Sequence, residues 1–164
     1  MNHASRFHLY PFAAAAVRRL NEAQIPVVVV TTQSGVGRGY IPESLVRQVH
    51  QQMVAELAAQ GASLDGIYYC PHVSADNCEC RKPRLGMLEQ AARELRLNLE
   101  RSFVVGDRYG DVELAHRARA RGILVRTGYG AGELEWHAAN WDIQPDYVAD
   151  DLEKAADWIL RQTR

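Results

Sequence analysis

The sequence of 164 residues lacks several features that would assign it to a broad class of proteins. It has no apolar run of the length that a membrane span requires, and it starts without the pattern of a signal peptide. Its net charge is −1 and no basic stripe stands out, which argues against nucleic-acid binding. It has no internal repeat. The length and an apolar content of 47% suit one globular domain, residues 1–164.

Cysteine is scarce, but the three cysteines of the chain lie close together. Cys70, His72, Cys78 and Cys80 follow the pattern C-x-H-x5-C-x-C, which offers four soft ligands. Zinc takes four such ligands in a tetrahedron, and a site with no open position is structural. Unrelated core thiols or one disulfide are the alternatives; clustering argues against the first, and strain in a Cys78–Cys80 bridge argues against the second. We predict a structural zinc site in a zinc loop, residues 70–82, and a reducing, cytoplasmic location.

Short apolar runs alternate with helical patterns along the chain. The β-branched run Val27–Val30 is typical of a strand that is buried on both faces of a parallel sheet. This alternation predicts a doubly wound parallel α/β fold, whose ligands bind at the carboxyl ends of the strands. Segment 128–144 is predicted as a packed loop, with a lid as the alternative. The predicted helices are 12–23, 42–60, 85–97, 109–120 and 152–161, and the predicted strands are 27–30, 64–69, 102–105, 123–126 and 147–148.

Polar residues follow the first predicted strand as the segment TTQSGVGRG, which starts at Thr31 and includes Arg38. Hydroxyl groups and exposed backbone N–H groups at a strand end form a cradle for an anion. An ordinary glycine-rich turn is the alternative, and the spacing does not match a Walker A loop.

Two more polar loops follow the second and third predicted strands. Arg81 and Lys82 come directly after the cysteines, and two fixed cations suit a phosphate, although solvated surface charges are the alternative. Asp107 and Asp111 follow the third strand, and such carboxylates can hold Mg²⁺ together with substrate phosphate oxygens. Helix capping by Asp107 and a first-turn preference of Asp111 are the alternatives. Three such loops at one sheet edge predict a phosphate-plus-Mg²⁺ site.

The order of Thr31, Lys82-Pro83 and Gly106-Asp107-x-x-x-Asp111 resembles motifs two to four of the haloacid dehalogenase superfamily. The segments VVVVTTQSGVGRG, DGIYYCPH, CECRKPRLGM and FVVGDRYGD resemble the D-glycero-D-manno-heptose-1,7-bisphosphate 7-phosphatase family more closely, with histidinol-phosphate phosphatases as near relatives. The resemblance covers nearly the whole chain. It implies a small sugar bisphosphate as substrate and Mg²⁺-dependent removal of its C7 phosphate, with a histidinol-phosphate phosphatase as the alternative.

The resemblance also implies a role for each matching residue. Thr31 would hydrogen-bond the transferring phosphoryl group, Lys82 would stabilise its charge, and Asp107 would bind catalytic Mg²⁺ with support from Asp111. Thr32 stands where the family usually has Asn. The four zinc ligands would shape the substrate loop, and the family lacks a large cap domain. The implied substrate contacts are Thr32, Gln33, Ser34, Gly35, Arg38, Arg81 and Arg108.

One family motif is absent. The D-x-D motif, which supplies the nucleophile and the general acid/base, does not occur here, and the first acidic residue is Glu22. We therefore expect that the chain begins downstream of this motif, lacks the central first strand, and is inactive as given. Unfilled sheet edges would allow a partner, although a monomer is the default. A non-catalytic sugar-phosphate binder and a zinc-stabilised interaction module are the alternatives, and the second leaves the phosphate loops unexplained.

Overall fold

The computed structural model describes residues 7–163, in which helices and parallel strands alternate. Single 3₁₀ turns lie at Ser74–Asp76, Leu99–Arg101 and Ala138–Asn140. No helix among the described residues has the length and apolar character needed to cross a membrane. The helices are α1 (Ala13–Glu22), α2 (Ser34–Gly37), α3 (Glu43–Ala58), α4 (Gly86–Leu95), α5 (Tyr109–Arg117), α6 (Gly130–Trp136) and α7 (Leu152–Gln162), and the strands are β1 (Val28–Thr32), β2 (Gly66–Cys70), β3 (Phe103–Gly106), β4 (Arg121–Val125) and β5 (Tyr147–Ala149).

The chain divides into two compact units, Met1–Arg81 and Lys82–Arg164. In the first unit, β1 and β2 form a parallel pair in which Thr32 lies opposite Cys70. The amphipathic helix α1 buries Val17 and Leu20, as its helical period predicts. Because the strands are parallel and in register at Thr32 and Cys70, the glycine-rich segment after β1 and the zinc loop leave the same edge of the pair.

The second unit contains a three-stranded parallel sheet in the order β3-β4-β5. The central strand β4 is buried from Gly122 to Val125, as expected for a strand with neighbours on both edges. Trp158 of α7 packs its ring parallel to Tyr147 and edge-on to Phe103, with centroid distances of 5.1 and 5.8 Å. This packing fixes β3, whose carboxyl end carries Asp107.

The parallel α/β class predicted from the sequence is confirmed, but the described strands form two sheets instead of one continuous sheet. Within residues 7–163, β1 is paired with β2 alone and β3 with β4 alone. The expected burial of β1 on both faces is not observed, because all five of its residues are half-buried. A strand with a partner on one edge only is covered less completely than a central strand. The prediction of a single domain stays a prediction.

The structure also changes several predicted boundaries. Strand β1 continues through Thr31 and Thr32, so both hydroxyls stand on the strand end and not in the following loop. Part of the predicted glycine-rich loop forms the single helical turn α2. Segment 128–144, predicted as a loop, contains α6 and a 3₁₀ turn. Its three glycines weaken a helical pattern in the sequence, whereas the start of this helix is tied to Arg126, the residue directly after β4, by the hydrogen bond from Ala131 N to Arg126 O (3.1 Å).

Candidate active site and zinc site

Thr31, at the end of β1, has a hydroxyl oriented by its neighbour. The side-chain amide nitrogen of Gln33 donates to Thr31 Oγ1 at 3.0 Å, and the backbone N–H of Gln33 donates to Cys70 O at 2.7 Å. A threonine hydroxyl has one proton to donate and two lone pairs that accept. Because Gln33 occupies a lone pair, the proton of Thr31 remains available for an acceptor such as a phosphoryl oxygen.

Thr32 differs from Thr31 because successive strand residues point to opposite faces. Its Oγ1 is buried and has no hydrogen-bond partner among the described residues. A buried hydroxyl without a partner costs about 1–3 kcal/mol of stability. The geometry therefore separates two adjacent threonines that the sequence assigns to one substrate loop, and a substrate contact by Thr32 stays a prediction.

The turn after β1 is packed against the start of the zinc loop. Gly37 donates its N–H to Pro71 O at 2.9 Å, and a Cβ on Gly37 would lie 2.8 Å from that oxygen. Only glycine allows such a close approach of two backbones. Ser34 and Gly35 are half-buried in this turn, whereas Arg38 at its end is exposed.

The four predicted zinc ligands converge within the first unit. Their ligand atoms all lie within 4.8 Å of one another. Cys78 Sγ lies 3.6 Å from Cys70 Sγ and 3.5 Å from Cys80 Sγ, and His72 Nδ1 lies 3.2 Å from Cys80 Sγ. A tetrahedron with zinc–sulfur bonds of about 2.3 Å has edges of roughly 3.8 Å. The three cysteines form no disulfide, so both the donor set and its spacing fit zinc.

The backbone of the zinc loop turns back on itself, so that Cys78 and Cys80 lie close to Cys70 and His72. Asp76 Oδ2 accepts from Val73 N at 2.8 Å, which closes the 3₁₀ turn, and Asn77 takes a left-handed conformation with φ +50°. Asparagine tolerates this conformation better than most residues. Arg81 Nη1 then donates to His72 O at 3.1 Å, so the end of the loop is tied to its beginning.

The thiols of this cluster differ in acidity. Burial opposes ionisation of Cys78, but hydrogen bonds from Cys80 and Cys70 outweigh it and lower the pKa of Cys78 to about 7. Burial, followed by the hydrogen bonds to Cys70 and Cys78, raises the pKa of Cys80 to about 12. Cys78 is therefore the most acidic of the three thiols, and a divalent cation at the centre would allow the others to lose their protons.

In the second unit, a buried ion pair lies beside the end of β3. Lys82 Nζ is 2.6 Å from Asp111 Oδ1, and the backbone N–H of Arg108 donates to Asp111 Oδ2 at 3.2 Å. Asp111 is only 6% exposed. Both of its oxygens are engaged. Asp111 therefore orients Lys82 and also caps the first turn of α5, which agrees with the alternative that Asp111 is simply favoured in the first turn of a helix.

Asp107 occupies the other acidic position and does not cap α5, whose preceding residue is Arg108. Asp107 Oδ2 accepts from the backbone N–H of Tyr129 at 3.0 Å. Its Oδ1 has no hydrogen-bond partner in the part of the chain that the structure describes. Mg²⁺ is commonly bound through one oxygen of a protein carboxylate. The half-buried Asp107, with Oδ1 available, fits this role.

Tyr129 and Glu133 are site residues that the sequence does not reveal. The Tyr129 ring covers the guanidinium of Arg108, and Glu133 Oε1 lies 3.7 Å from Arg108 Nη1. More than twenty positions separate Tyr129 from Arg108, so no periodicity connects them. The only hint in the sequence is the flanking pair Gly128 and Gly130, which marks a constrained turn.

Comparison with known proteins places the chain among hydrolases of the haloacid dehalogenase type. The family model described as HAD-hydrolase-like matches residues 79–155. The heptose-bisphosphate phosphatase of Thermosynechococcus vestitus is 42% identical over 92% of this chain and 82% of its own length. That of Haemophilus influenzae is 41% identical over 84% of this chain and 75% of its own length.

Solved structures agree with these sequence matches. The D,D-heptose 1,7-bisphosphate phosphatase of B. bronchiseptica, complexed with magnesium and phosphate, superposes with a TM-score of 0.89. It is 32% identical, and the match covers 98% of this chain and 88% of that one. The chain belongs to the D-glycero-D-manno-heptose-1,7-bisphosphate 7-phosphatase family, which is a family of phosphatases.

Proposed function

We propose that this protein acts on D-glycero-D-manno-heptose 1,7-bisphosphate and that its site is built for removal of the C7 phosphate. The observations that carry the proposal are the lysine–aspartate pair of Lys82 and Asp111 and, directly after β3, the carboxylate of Asp107, which accepts from Tyr129 N. This arrangement supplies a fixed cation and a free carboxylate oxygen, which are the groups that phosphoryl transfer requires. The names of relatives about 40% identical support the choice of substrate.

We assign the roles as follows. Thr31 donates its hydroxyl proton to the transferring phosphoryl group, and Gln33 holds that hydroxyl in place. Lys82, oriented by Asp111, neutralises charge that develops on the phosphoryl oxygens. Arg38, Arg81 and Arg108 bind the part of the substrate that is not hydrolysed, with further contacts from Thr32, Ser34 and Gly35.

Two metals fit the residues present. Asp107 would hold Mg²⁺, which supplies charge neutralisation at the phosphoryl group when bound. The cluster of Cys70, His72, Cys78 and Cys80 would hold structural zinc, which fixes the loop that carries Arg81. We propose a cytoplasmic location because metal-bound thiolates persist in a reducing compartment, and a monomeric state by default.

Covalent phosphoryl transfer also needs a carboxylate nucleophile. The family resemblance places it in a D-x-D motif, and the 164 residues contain no such motif. We therefore propose that these residues alone bind the bisphosphate and do not hydrolyse it.

Phosphate release by the purified 164-residue protein, with Zn²⁺ and Mg²⁺ present, tests this proposal. We expect binding of the heptose bisphosphate by calorimetry and no release above a protein-free control. Mg²⁺-dependent release would contradict the claim that these residues do not turn substrate over. Absence of binding would contradict the assigned substrate. Histidinol phosphate serves as the control ligand, because the family resemblance brings it nearest to the proposed substrate.

A further inference from the structure

The turn that follows β4 packs closely against Asp107, which follows β3. Gly128 has φ +64°, and a Cβ there would collide with Asp107 Oδ2. The next residue, Tyr129, donates its backbone N–H to the same oxygen at 3.0 Å. The backbone of this turn therefore fixes one oxygen of the proposed Mg²⁺ ligand, and it places the Tyr129 side chain beside the neighbouring Arg108.

The Tyr129 ring stacks on the Arg108 guanidinium, whose Cζ lies 3.5 Å from the ring centroid. Arginine favours the faces of aromatic rings because its planar, weakly hydrated cation is attracted to the π-electrons. Tyr129 is 62% exposed, so burial in the core does not explain its position. The Tyr129 ring instead covers one face of the Arg108 guanidinium.

Two further contacts hold the same arginine. Glu133, one turn into α6, places Oε1 3.7 Å from Arg108 Nη1, and the Glu133 side chain is only 16% exposed. The backbone N–H of Arg108 donates to Asp111 Oδ2. Asp111 therefore holds the backbone of Arg108, Tyr129 covers one face of its guanidinium, and Glu133 lies at one edge of that guanidinium. A guanidinium has five N–H donors, and Arg108 remains half exposed, so donors remain for an anion.

We propose that Tyr129 is a positioning residue that fixes the Arg108 guanidinium as a receptor for the C1 phosphate of the substrate. This inference rests on the proposed function, in which Arg108 contacts the part of the substrate that is not hydrolysed. A free arginine side chain loses much rotational entropy when it binds an anion. An arginine already stacked on Tyr129 loses less, and the ring thereby increases affinity without touching the ligand.

The test measures dissociation constants by calorimetry with Mg²⁺ and Zn²⁺ present, for heptose 1,7-bisphosphate and for heptose 7-phosphate, which lacks the C1 phosphate. We expect Tyr129→Leu to weaken binding of the bisphosphate about three- to tenfold, the range of one cation–π contact. Binding of the 7-phosphate should not change. Tyr129→Phe keeps the aromatic ring and should bind both ligands as tightly as the protein without substitutions.

Arg108→Ala completes a double-mutant cycle. We expect Tyr129→Leu to have no additional effect on bisphosphate affinity once Arg108 is absent, because Tyr129 acts through that side chain. The inference is overturned if Tyr129→Leu weakens both ligands equally, or if its effect adds in full to that of Arg108→Ala.

A ligand-free measurement separates this inference from the proposed function. The ¹⁵N order parameter of Arg108 Nε should fall in Tyr129→Leu and stay unchanged in Tyr129→Phe. An unchanged order parameter in Tyr129→Leu overturns the inference whatever the substrate is. If the protein without substitutions binds both heptose phosphates equally, Arg108 does not receive the C1 phosphate and the inference is overturned. If the order parameter falls in Tyr129→Leu but the protein without substitutions binds neither heptose phosphate, positioning by Tyr129 is supported and the proposed function fails.

Discussion

The zinc loop and the Lys82–Asp111 pair are both compact polar clusters, but they are held together in different ways. In the zinc loop, Cys78 Sγ lies 3.6 Å from Cys70 Sγ and 3.5 Å from Cys80 Sγ, so groups that ionise to the same charge lie close together. The Asp111 carboxylate, by contrast, has a cation at 2.6 Å and a backbone donor at 3.2 Å. The first cluster therefore suits a bound divalent cation, whereas the charge of Asp111 is balanced by the protein itself.

The largest expected effect is loss of zinc from the first cluster. We expect Cys78→Ser to lower the melting temperature by on the order of 10 °C or more, because zinc binding contributes ~10–16 kcal/mol in zinc-finger peptides. Calorimetric melting with and without a chelator measures this. Ser74→Ala, an exposed change in the same loop, is the control and should leave the melting temperature unchanged.

A smaller effect is expected at the second cluster. Lys82→Ala leaves the buried Asp111 carboxylate without its cation and should cost about 2 kcal/mol in the free energy of unfolding. Lys154→Ala, at the only other lysine of the chain, removes an exposed pair with Asp157 and should cost less than about 0.5 kcal/mol. Equal melting temperatures for Cys78→Ser and Lys82→Ala would contradict the contrast between the two clusters.

These two clusters also show how far the sequence predicts the site. The zinc ligands follow from local spacing, because all four lie on one short loop. The pairing of Lys82 with Asp111 does not, since the two residues are 29 positions apart. The sequence predicts a cation and a carboxylate as separate phosphate and Mg²⁺ groups. Only the fold shows that Asp111 uses both oxygens within the protein.

For the fold as well, the sequence predicts what depends on neighbouring residues and does not predict what depends on residues far apart in the chain. The order of helices and strands follows from the apolar runs and their periods. The division of the strands into two sheets does not, because strand pairing depends on contacts far apart in sequence. The sequence does not predict helix α6, since Gly130 and Gly132 argue against a helix locally, whereas a hydrogen bond to Arg126, directly after β4, supports it.

The third prediction concerns the hydroxyl of Thr31. Gln33→Leu removes the donor that orients it and should weaken binding of the heptose bisphosphate about tenfold, the equivalent of one hydrogen bond of about 1.4 kcal/mol. Gln33→Glu should weaken it further, because a carboxylate accepts the proton that Thr31 would give to the phosphoryl group. Calorimetry measures both, with the exposed Gln51→Leu as control. Unchanged affinity in both Gln33 variants would exclude this role.

The smallest effect is expected at the neighbouring threonine. Thr32→Val replaces a buried, unpaired hydroxyl by a methyl group of the same shape and should raise the free energy of unfolding by about 1 kcal/mol. Thr31→Val is the matched control and should not stabilise, because its hydroxyl accepts from Gln33. Chemical denaturation measures both variants. Destabilisation by Thr32→Val would show that the Thr32 hydroxyl has a partner.

The central claim is that this chain carries a Mg²⁺-assisted site for a heptose bisphosphate. A calorimetric titration of the zinc-loaded 164-residue protein with D-glycero-D-manno-heptose 1,7-bisphosphate, with and without Mg²⁺, tests it most directly. We predict binding that Mg²⁺ strengthens, that Asp107→Asn makes insensitive to Mg²⁺, and that exceeds the affinity for histidinol phosphate at least tenfold. Equal affinity for the two ligands, or no effect of Mg²⁺, would contradict the account.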